Sequence, residues 1–272
     1  MSSLAATVEG IGFWNDGLPS WPQARAFAHG APAAADAPRR PAPQLLAPNE
    51  RRRAPESVAV ALDVALAACE AAGRDPASLP SVFASTHGDL AITDYICGTL
   101  ASAPRTLSPT KFHNSVHNAA AGYWTIGSGC MRTTTAISAY DASFAQALVE
   151  SLVQLASGED AVLLAAYDSP SSGALSPVSR SEGLLGGALV LSRRAHGTRL
   201  RATLVDGDAP AASGPLARHA HGNAMAQMLP LFDALAAGGD VALLRAGPGR
   251  VLRVELAHET QAHDAPAREA QA

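Results

Sequence analysis

Short apolar segments alternate along this chain with longer segments of helical periodicity. The clearest strand is predicted at residues 161–168, AVLLAAYD, because an uninterrupted apolar run of this length is typical of a strand covered on both faces. The clearest helix is predicted at residues 57–72, where apolar side chains recur every three or four positions and Gly73 follows as a C-cap. This alternation predicts an α/β fold with a mainly parallel sheet and helices on both of its faces.

The other predicted elements continue the same alternation. Further strands are predicted at residues 7–14, 81–86, 133–138, 183–192, 201–206 and 251–256. Further helices are predicted from about residue 90 to Ala101, and at residues 119–126, 141–158 and about 225–237. Residues 28–50 hold five prolines among alanines and have little to bury, so they are predicted to form a flexible surface insertion.

The composition argues against several classes of partner. The chain has 272 residues, with 24 acidic and 20 basic side chains and a net charge of −4. A nucleic-acid-binding protein or a polybasic membrane-binding protein is not expected, since phosphate contacts need clustered Lys and Arg. The longest uncharged stretch, residues 112–131, contains two His and two Asn and is too polar to span a membrane. Without a recognisable targeting segment or a CxxC pair, a cytoplasmic, reducing location is expected.

The densest polar motif is Phe112–Asn118, FHNSVHN. His113 and His117 are four residues apart and would share one face of a helix. A metal site would need a third ligand, and the HExxH pattern is missing because Asn114 stands where its glutamate would be, so no metal and no cofactor are predicted. Two interpretations stay open: Asn118 caps the following helix while the histidines bond neighbouring backbone, or the motif lies at a pocket or a subunit seam.

Glycines provide no signature of nucleotide binding. The spacing GxxxxGK[ST] of a phosphate loop is absent, and Gly183, Gly186 and Gly187 lie in an apolar strand rather than at the start of a helix. Close packing of the backbone against a neighbouring element is therefore expected at these glycines.

A family resemblance runs through residues 7–194. The segments SPTKFHNSVHNAAAGYWTI and TTTAISAYDASFAQAL resemble the approach to the nucleophile in β-ketoacyl synthases of the thiolase superfamily, where a strand turns sharply into a buried helix and the turn carries a catalytic cysteine. The run Arg51–Arg53 before an Ala-rich helix and the segment SEGLLGGALVLS are similar to further landmarks of that family, in the same order. The resemblance implies a thiolase-like, layered α-β-α fold.

The same resemblance implies a division of the chain. Residues 1–194 would form a domain like the N-terminal half of a ketosynthase, with residues 28–50 as a flexible insertion. Residues 195–257 would be a short helix and strand extension of that domain, and residues 258–272 a tail. This C-terminal part is too short to be the second half of a ketosynthase, which suggests a partner of the catalyst.

One departure from the family concerns the nucleophile. An ungapped alignment puts Asp141 at its position, and a shift of one residue would put Tyr140 there, while Cys130 lies eleven residues upstream of Asp141. Neither residue can form the thioester that decarboxylative condensation needs, because that reaction depends on a thiolate. The segment His221–Met225, HGNAM, is only a superficial echo of a catalytic histidine motif and precedes a predicted helix. No catalytic residue for condensation is therefore expected.

A ketosynthase-like chain without its cysteine resembles chain length factors, and this short form resembles ketosynthase-like proteins of aryl polyene clusters. The resemblance implies a non-catalytic subunit that forms a heterodimer with an active β-ketoacyl-ACP synthase. Such a subunit would shape the tunnel for an acyl chain bound to acyl carrier protein, in polyene, polyketide or fatty-acid-type biosynthesis. Residues 133–138 would lie at the subunit interface. The side chains expected at the tunnel or interface are Phe112, His113, His117, Asn118, Trp124, Tyr140 and Phe144.

Two alternatives remain beside this hypothesis. The chain could be a stand-alone acyl-thioester enzyme (an acyltransferase, hydrolase or dehydratase) in which Asp141 and either His113 or His117 act as a carboxylate–imidazole pair. It could also be a scaffold without an acyl pocket. Such a scaffold would have a filled interior with no channel reaching residues 140–144. Separately, the aromatic candidates have an alternative interpretation as ordinary core residues.

Overall fold

The computed structural model describes residues 3–258, whose strands form one eight-stranded sheet. The strands are β1 Ser3–Asn15, β2 Ser81–Ala84, β3 Thr134–Ile137, β4 Ala161–Asp168, β5 Leu185–Ser192, β6 Thr198–Asp206, β7 Val241–Gly247 and β8 Arg250–Ala257. Their order across the sheet is β3-β2-β4-β5-β1-β6-β8-β7. The strand β4 is confirmed residue for residue, whereas β7 is absent from the sequence-based prediction.

The strand directions correct the expectation of a mainly parallel sheet. β2 pairs in parallel with β3 and with β4. The other five neighbouring pairs are antiparallel. The physical reason is the connections: β5 follows β4 through a loop rather than a crossover helix, and β7 is joined to β8 by a tight turn.

The α-helices lie on both faces of the sheet. They are α1 Trp21–Ala28, α2 Pro48–Arg53, α3 Glu56–Ala72, α4 Leu90–Ser102, α5 Pro109–His113, α6 Ala119–Ser128, α7 Ser143–Ala156, α8 Pro215–His219 and α9 Leu229–Ala237. The predicted C-cap of α3 is confirmed, because Gly73 has the left-handed conformation with a φ of 60°. The helix predicted at about 225–237 begins as a 3₁₀ turn, Ala224–Met228, before α9.

A hydrophobic core lies on each face of the sheet, between the sheet and the helices that cover it. Along β4, Val162 and Leu164 belong to the core formed with α7 and α9. Leu163 and Ala165 belong to the core formed with α3 and α6. This division follows from the period of two along a strand, which sends successive side chains to opposite faces. The predicted layered α-β-α fold is therefore confirmed.

Glycines allow helices to lie directly on the sheet. A Cβ atom at Gly12 of β1 would lie 1.9 Å from the carbonyl oxygen of Val64 in α3. A Cβ atom at Gly186 or Gly187 of β5 would lie 2.7 or 2.6 Å from side chains of α3 and α9, which confirms the close packing expected there. Gly183 differs, since it has open space around it and a φ of 66°.

Parts of the predicted organisation lie at the limits of what the structure describes. Leu46, near the end of the Pro-rich segment 28–50, is buried and its carbonyl accepts a hydrogen bond from Arg51. The flexibility of that segment stays a prediction, as do the domain boundaries, although β6, β7 and β8 continue the same sheet. The predicted tail 258–272 lies outside the described residues except for His258. No helix within residues 3–258 is long and apolar enough to cross a membrane.

Candidate functional site

A sharp turn joins β3 to α7 at one edge of the sheet. Tyr140 in this turn has a φ of 52°, the only positive φ of a non-glycine residue in the described part of the chain. The hydroxyl of Ser143 accepts a hydrogen bond from the Ala139 N–H at 2.9 Å and donates one to the Tyr140 carbonyl at 2.7 Å. A left-handed backbone costs a residue with a Cβ about 1–2 kcal/mol, and such strain is typical of functional sites. The turn displays Tyr140 at the surface, 58% exposed.

The next residue, Asp141, is tied to the C-terminal hairpin of β7 and β8. Its carboxylate accepts a hydrogen bond from Nη1 of Arg245 at 3.1 Å. Close by, Nε2 of Gln146 in α7 donates to the Ala246 carbonyl at 2.8 Å. The turn and the hairpin together enclose a groove of about 420 Å³, lined by Tyr140 and Asp141 on one side and by Arg245 on the other.

The FHNSVHN motif does not form one continuous helix. α5 ends at His113, so His117 lies beyond it and the two imidazoles do not share a helix face. The ring of His113 packs against that of Tyr123, with 5.9 Å between centroids. Nε2 of His117 instead lies 2.9 Å from the Ser85 carbonyl oxygen. Within residues 3–258 neither histidine is hydrogen-bonded to Asp141, so the structure does not bring the predicted carboxylate–imidazole pair together.

Asn118 occupies the N-cap position of α6, but it does not cap the helix through its side chain as one of the open interpretations expects. Its side chain makes no capping hydrogen bond; its carbonyl accepts one from the Gly122 N–H at 3.0 Å. Among the described residues there is no group of three or more His, Cys, Asp or Glu side chains that could hold a metal ion.

A second groove, of about 600 Å³, lies between α5 and α6. Phe112, His113 and Asn118 all line it, together with Tyr123 and Ile126. The structure therefore brings three of the predicted site residues to one surface feature.

Exposed apolar side chains lie on α5, α6 and the segments that follow each. Phe112, Val116, Ile126 and Met131 are between 51% and 96% exposed. β3, which follows Met131, pairs with β2 alone among the described strands, so its other edge presents unpaired backbone groups. Apolar patches and open strand edges are both typical of interaction surfaces.

Trp124 and Phe144 lie in the two hydrophobic cores rather than at either groove. Trp124 packs against Phe83, with 6.2 Å between ring centroids, on the α3 side of the sheet. Phe144 packs against Phe232, also at 6.2 Å, on the opposite side. Core packing accounts for both aromatic rings, and a place for either at a tunnel or subunit seam stays a prediction.

A buried polar cluster, which the sequence-based prediction does not include, lies where β2 and β4 end. Asp168 is fully buried and accepts hydrogen bonds from the Ser85 hydroxyl at 2.6 Å and from the Thr86 N–H at 3.1 Å. Burial raises the pKa of Asp168, while the charge of His87 and these hydrogen bonds act in the opposite direction. Nδ1 of His87 lies 3.0 Å from Oγ of Ser179 in the loop between β4 and β5.

The positions of Asp168 and His87 in the sequence could have predicted part of this cluster. Asp168 ends a predicted strand, and His87 follows another. Residues at the carboxyl ends of neighbouring parallel strands meet at one edge, where α/β sheets commonly bind ligands. Ser179 has no comparable signal, because it lies in a long loop and reaches His87 only through the fold.

Asn223 anchors this loop to the sheet. Its Nδ2 donates to the Gly183 carbonyl at 3.0 Å and to the Asp168 carbonyl at 3.2 Å, and its Oδ1 accepts from the Met225 N–H at 2.9 Å. His221, two residues earlier, is exposed. The HGNAM segment thus precedes a helical turn, as predicted, and its buried polar member is the asparagine.

The strand order, the α-β-α layers and the sharp turn before α7 together define a thiolase-like ketosynthase fold. The chain belongs to the β-ketoacyl synthase N-terminal domain family, whose model matches residues 20–248. This match confirms the resemblance on which the sequence-based prediction rests. No match is found among curated proteins.

Solved structures of similar fold include complexes of ketosynthases. The ketosynthase ApeO in complex with its chain length factor ApeC, from Xenorhabdus doucetiae, matches with a TM-score of 0.74 and 22% identity, covering 93% of this chain and 99% of the matched chain. A complex of AntDE with AntF, a type II polyketide synthase acyl carrier protein with its ketosynthase, matches with a TM-score of 0.70 and 13% identity over 95% and 100% of the two chains. The ishigamide ketosynthase/chain length factor matches with a TM-score of 0.69 and 14% identity over 94% and 100%. These likenesses establish the fold.

Proposed function

We propose that this chain is a chain length factor-like subunit, non-catalytic in condensation, that pairs with an active β-ketoacyl-ACP synthase and shapes its acyl tunnel. The observation that carries the proposal is the turn after β3. Where a ketosynthase needs a thiolate, this turn presents the phenol of Tyr140 and then a carboxylate that is ion-paired with Arg245. Neither group can hold the acyl chain as a thioester for condensation.

The nearest candidate thiol in the sequence does not replace the missing nucleophile. Cys130 precedes β3, at the end of the strand opposite the turn, and is buried. Its Sγ lies 3.3 Å from the Leu79 carbonyl oxygen, so the thiol has a structural partner. A buried thiol in such surroundings is not activated for attack on a thioester.

The open edge of β3 and the apolar side chains that precede it support pairing with another subunit. Unpaired backbone groups on β3 can extend the sheet into a partner, and Met131 and Ile126 are 96% and 77% exposed. The similar solved structures are described as complexes of ketosynthases with a chain length factor or an acyl carrier protein. We therefore infer a heterodimer with a ketosynthase, acting on an acyl chain bound to acyl carrier protein in aryl polyene or related polyketide biosynthesis.

Within this proposal, most of the predicted site residues fall into two groups, one at each groove. Phe112, His113 and Asn118 would border the partner subunit at the groove between α5 and α6. Tyr140 would lie at the end of the acyl tunnel, at the position of the missing nucleophile. His117, which is held by the Ser85 carbonyl, would support the segment between them.

The test is co-expression with the ketosynthase encoded in the same gene cluster, followed by size-exclusion chromatography and mass spectrometry of the products. Tyr140→Ala and Phe112→Ala remove exposed side chains at the two grooves, and each is expected to weaken the complex or change the product length. Leu204→Ala, also at an exposed apolar position but on β6, is the matched control and should change neither. An unchanged complex and an unchanged product distribution in both site variants would contradict the proposal.

A further inference from the structure

Ser179 and His87 have the geometry of a nucleophile and its general base. The Ser179 hydroxyl lies 3.0 Å from Nδ1 of His87, within hydrogen-bond distance. Ser179 is partly exposed, as an attacking group must be, while His87 is half-buried beneath the loop between β4 and β5. The pair lies next to the Tyr140 turn, since Ser138 donates a hydrogen bond to the Thr86 carbonyl at 2.8 Å, but it takes no part in the function proposed above.

The second nitrogen of His87 supports an acid–base role. When the Ser179 hydroxyl donates to Nδ1, the ring proton is on Nε2, and this atom is buried without a hydrogen-bond partner. A buried donor without a partner costs about 1–3 kcal/mol, so the arrangement is not explained by stability.

Among the described residues, the surroundings of Ser179 include a free backbone N–H and exposed apolar side chains. The backbone N–H of Arg180, the residue after the serine, donates no hydrogen bond within residues 3–258 and is available to a developing oxyanion. Val178, on the other side of the serine, is 70% exposed, and its carbonyl accepts a hydrogen bond from the Tyr140 hydroxyl at 3.3 Å. Leu175 is also exposed, so the loop that carries the hydroxyl displays two apolar side chains.

We propose that Ser179 and His87 form an acyl-hydrolase site that cleaves thioesters of apolar acyl chains. Oγ of Ser179 attacks the carbonyl carbon while Nδ1 of His87 takes the hydroxyl proton. The carbon–sulfur bond breaks, and the thiol leaves with the proton returned by His87. A water molecule then attacks the acyl-serine ester and gives a proton to Nδ1. The ester bond breaks, which releases the carboxylic acid and restores the Ser179 hydroxyl.

The first test uses the purified 272-residue chain alone and an alkyl fluorophosphonate, which labels activated serine hydroxyls. Intact-mass spectrometry should show a one-to-one adduct, and peptide mapping should locate it on Ser179. Ser179→Ala should abolish the adduct, and His87→Gln should slow its formation about 100-fold or more, the usual contribution of a general base. Ser176→Ala removes a hydroxyl from the same loop and should label like the wild type.

The second test measures hydrolysis of octanoyl-N-acetylcysteamine, a simple acyl thioester. Turnover by the wild type that is lost in Ser179→Ala and kept in Ser176→Ala supports the site. Absence of an adduct in the wild type, persistence of the adduct in Ser179→Ala, or labelling without thioester hydrolysis would each overturn it. If circular dichroism shows that His87→Gln does not fold, the comparison of Ser179→Ala with Ser176→Ala decides whether the site exists. No ketosynthase is needed, so a failure here leaves the proposed pairing untouched.

Discussion

The carboxylate of Asp141 lies 3.1 Å from Nη1 of Arg245, and this ion pair joins the turn after β3 to the hairpin of β7 and β8. The two residues are 104 positions apart in the chain. The contact gives Asp141 a structural partner and leaves Tyr140 displayed beside it. Asp141 and Tyr140 are the two residues that the alignments place at the nucleophile position. Asp141 is bound to the hairpin, whereas Tyr140 carries the strained backbone.

Loss of this ion pair should have a small effect on stability. Asp141→Asn is expected to lower the free energy of unfolding by about 0.2–1 kcal/mol, because both side chains are well exposed and surface ion pairs contribute little. Asp206→Asn, which breaks the exposed Asp206–Arg250 pair at 2.7 Å, is a matched control and should have a similar effect in urea denaturation.

The same variant separates the proposed function from a stand-alone enzyme based on Asp141. If the chain is a subunit without a catalytic carboxylate, the Asp141→Asn variant should still form the complex. It should also support the same products when it is co-expressed with the ketosynthase. If the chain alone turns over an acyl thioester and Asp141→Asn abolishes that activity, the carboxylate is catalytic and the non-catalytic assignment fails.

Relief of the strained turn should stabilise the protein. Tyr140→Gly is expected to raise the free energy of unfolding by about 0.5–1 kcal/mol, because glycine adopts a φ of 52° without the Cβ penalty. Ala139→Gly is the control at the neighbouring position, where φ is −144°, and should lower the same free energy by about 0.5–1 kcal/mol. A Tyr140→Gly protein that is less stable than the Ala139→Gly protein would show that the turn is not strained.

The contact of β1 with α3 should not tolerate a methyl group. Gly12→Ala is expected to destabilise the protein by about 3 kcal/mol or more, because the new Cβ would lie 1.9 Å from the Val64 carbonyl oxygen. Gly98→Ala in α4 meets nothing within 4 Å and should stabilise by about 0.5–1 kcal/mol through helix propensity. Thermal and urea unfolding of the two variants test this contrast, and equal stabilities would contradict it.

The pH dependence of stability should include an unfavourable contribution from Asp63. Burial, and secondarily the charge of Glu70, raises the pKa of Asp63 from 3.8 to about 6. The free energy of unfolding is therefore highest below pH 3.8, where Asp63 is protonated in both the folded and the unfolded state. It falls as the pH rises through about 6, because the buried carboxyl then ionises. Asp63→Asn should raise the free energy of unfolding by about 2 kcal/mol at pH 7.5, and the gain should shrink as the pH is lowered towards 4.

Glu9 offers a control of opposite sign. Burial would raise its pKa, but hydrogen bonds from Arg74 and Ser192, with the charges of Arg74 and Arg194, lower it below 4.5. Its stabilising contribution is present above pH 4.5 and is lost as the pH falls through the lowered pKa. Glu9→Gln should therefore destabilise at pH 7.5, by about 3 kcal/mol for a nearly buried ion pair, and less in acid. Parallel pH profiles for the two variants would contradict both assignments.

The local sequence pattern was sufficient to predict β4 and α3. The apolar run of β4, the periodicity of α3 and its Gly73 cap were all predictable, because they depend on residues close together in the sequence. The reversed direction of β5 was not, since it depends on the loop that follows β4 rather than on the strand's own residues. The short strand β7 also escaped prediction, because two of its three inward-facing residues are alanines, which are depleted in strands.

The sequence by itself determined the layered α/β fold, the resemblance to ketosynthases and the absence of a cysteine from the turn after β3. Only the tertiary structure decided that Tyr140 carries the left-handed backbone, that Asp141 pairs with Arg245 and that Ser179 meets His87. The physical reason is range. Periodicity and caps act over a few residues, whereas these contacts join side chains 92 and 104 positions apart and exist only once the sheet has assembled.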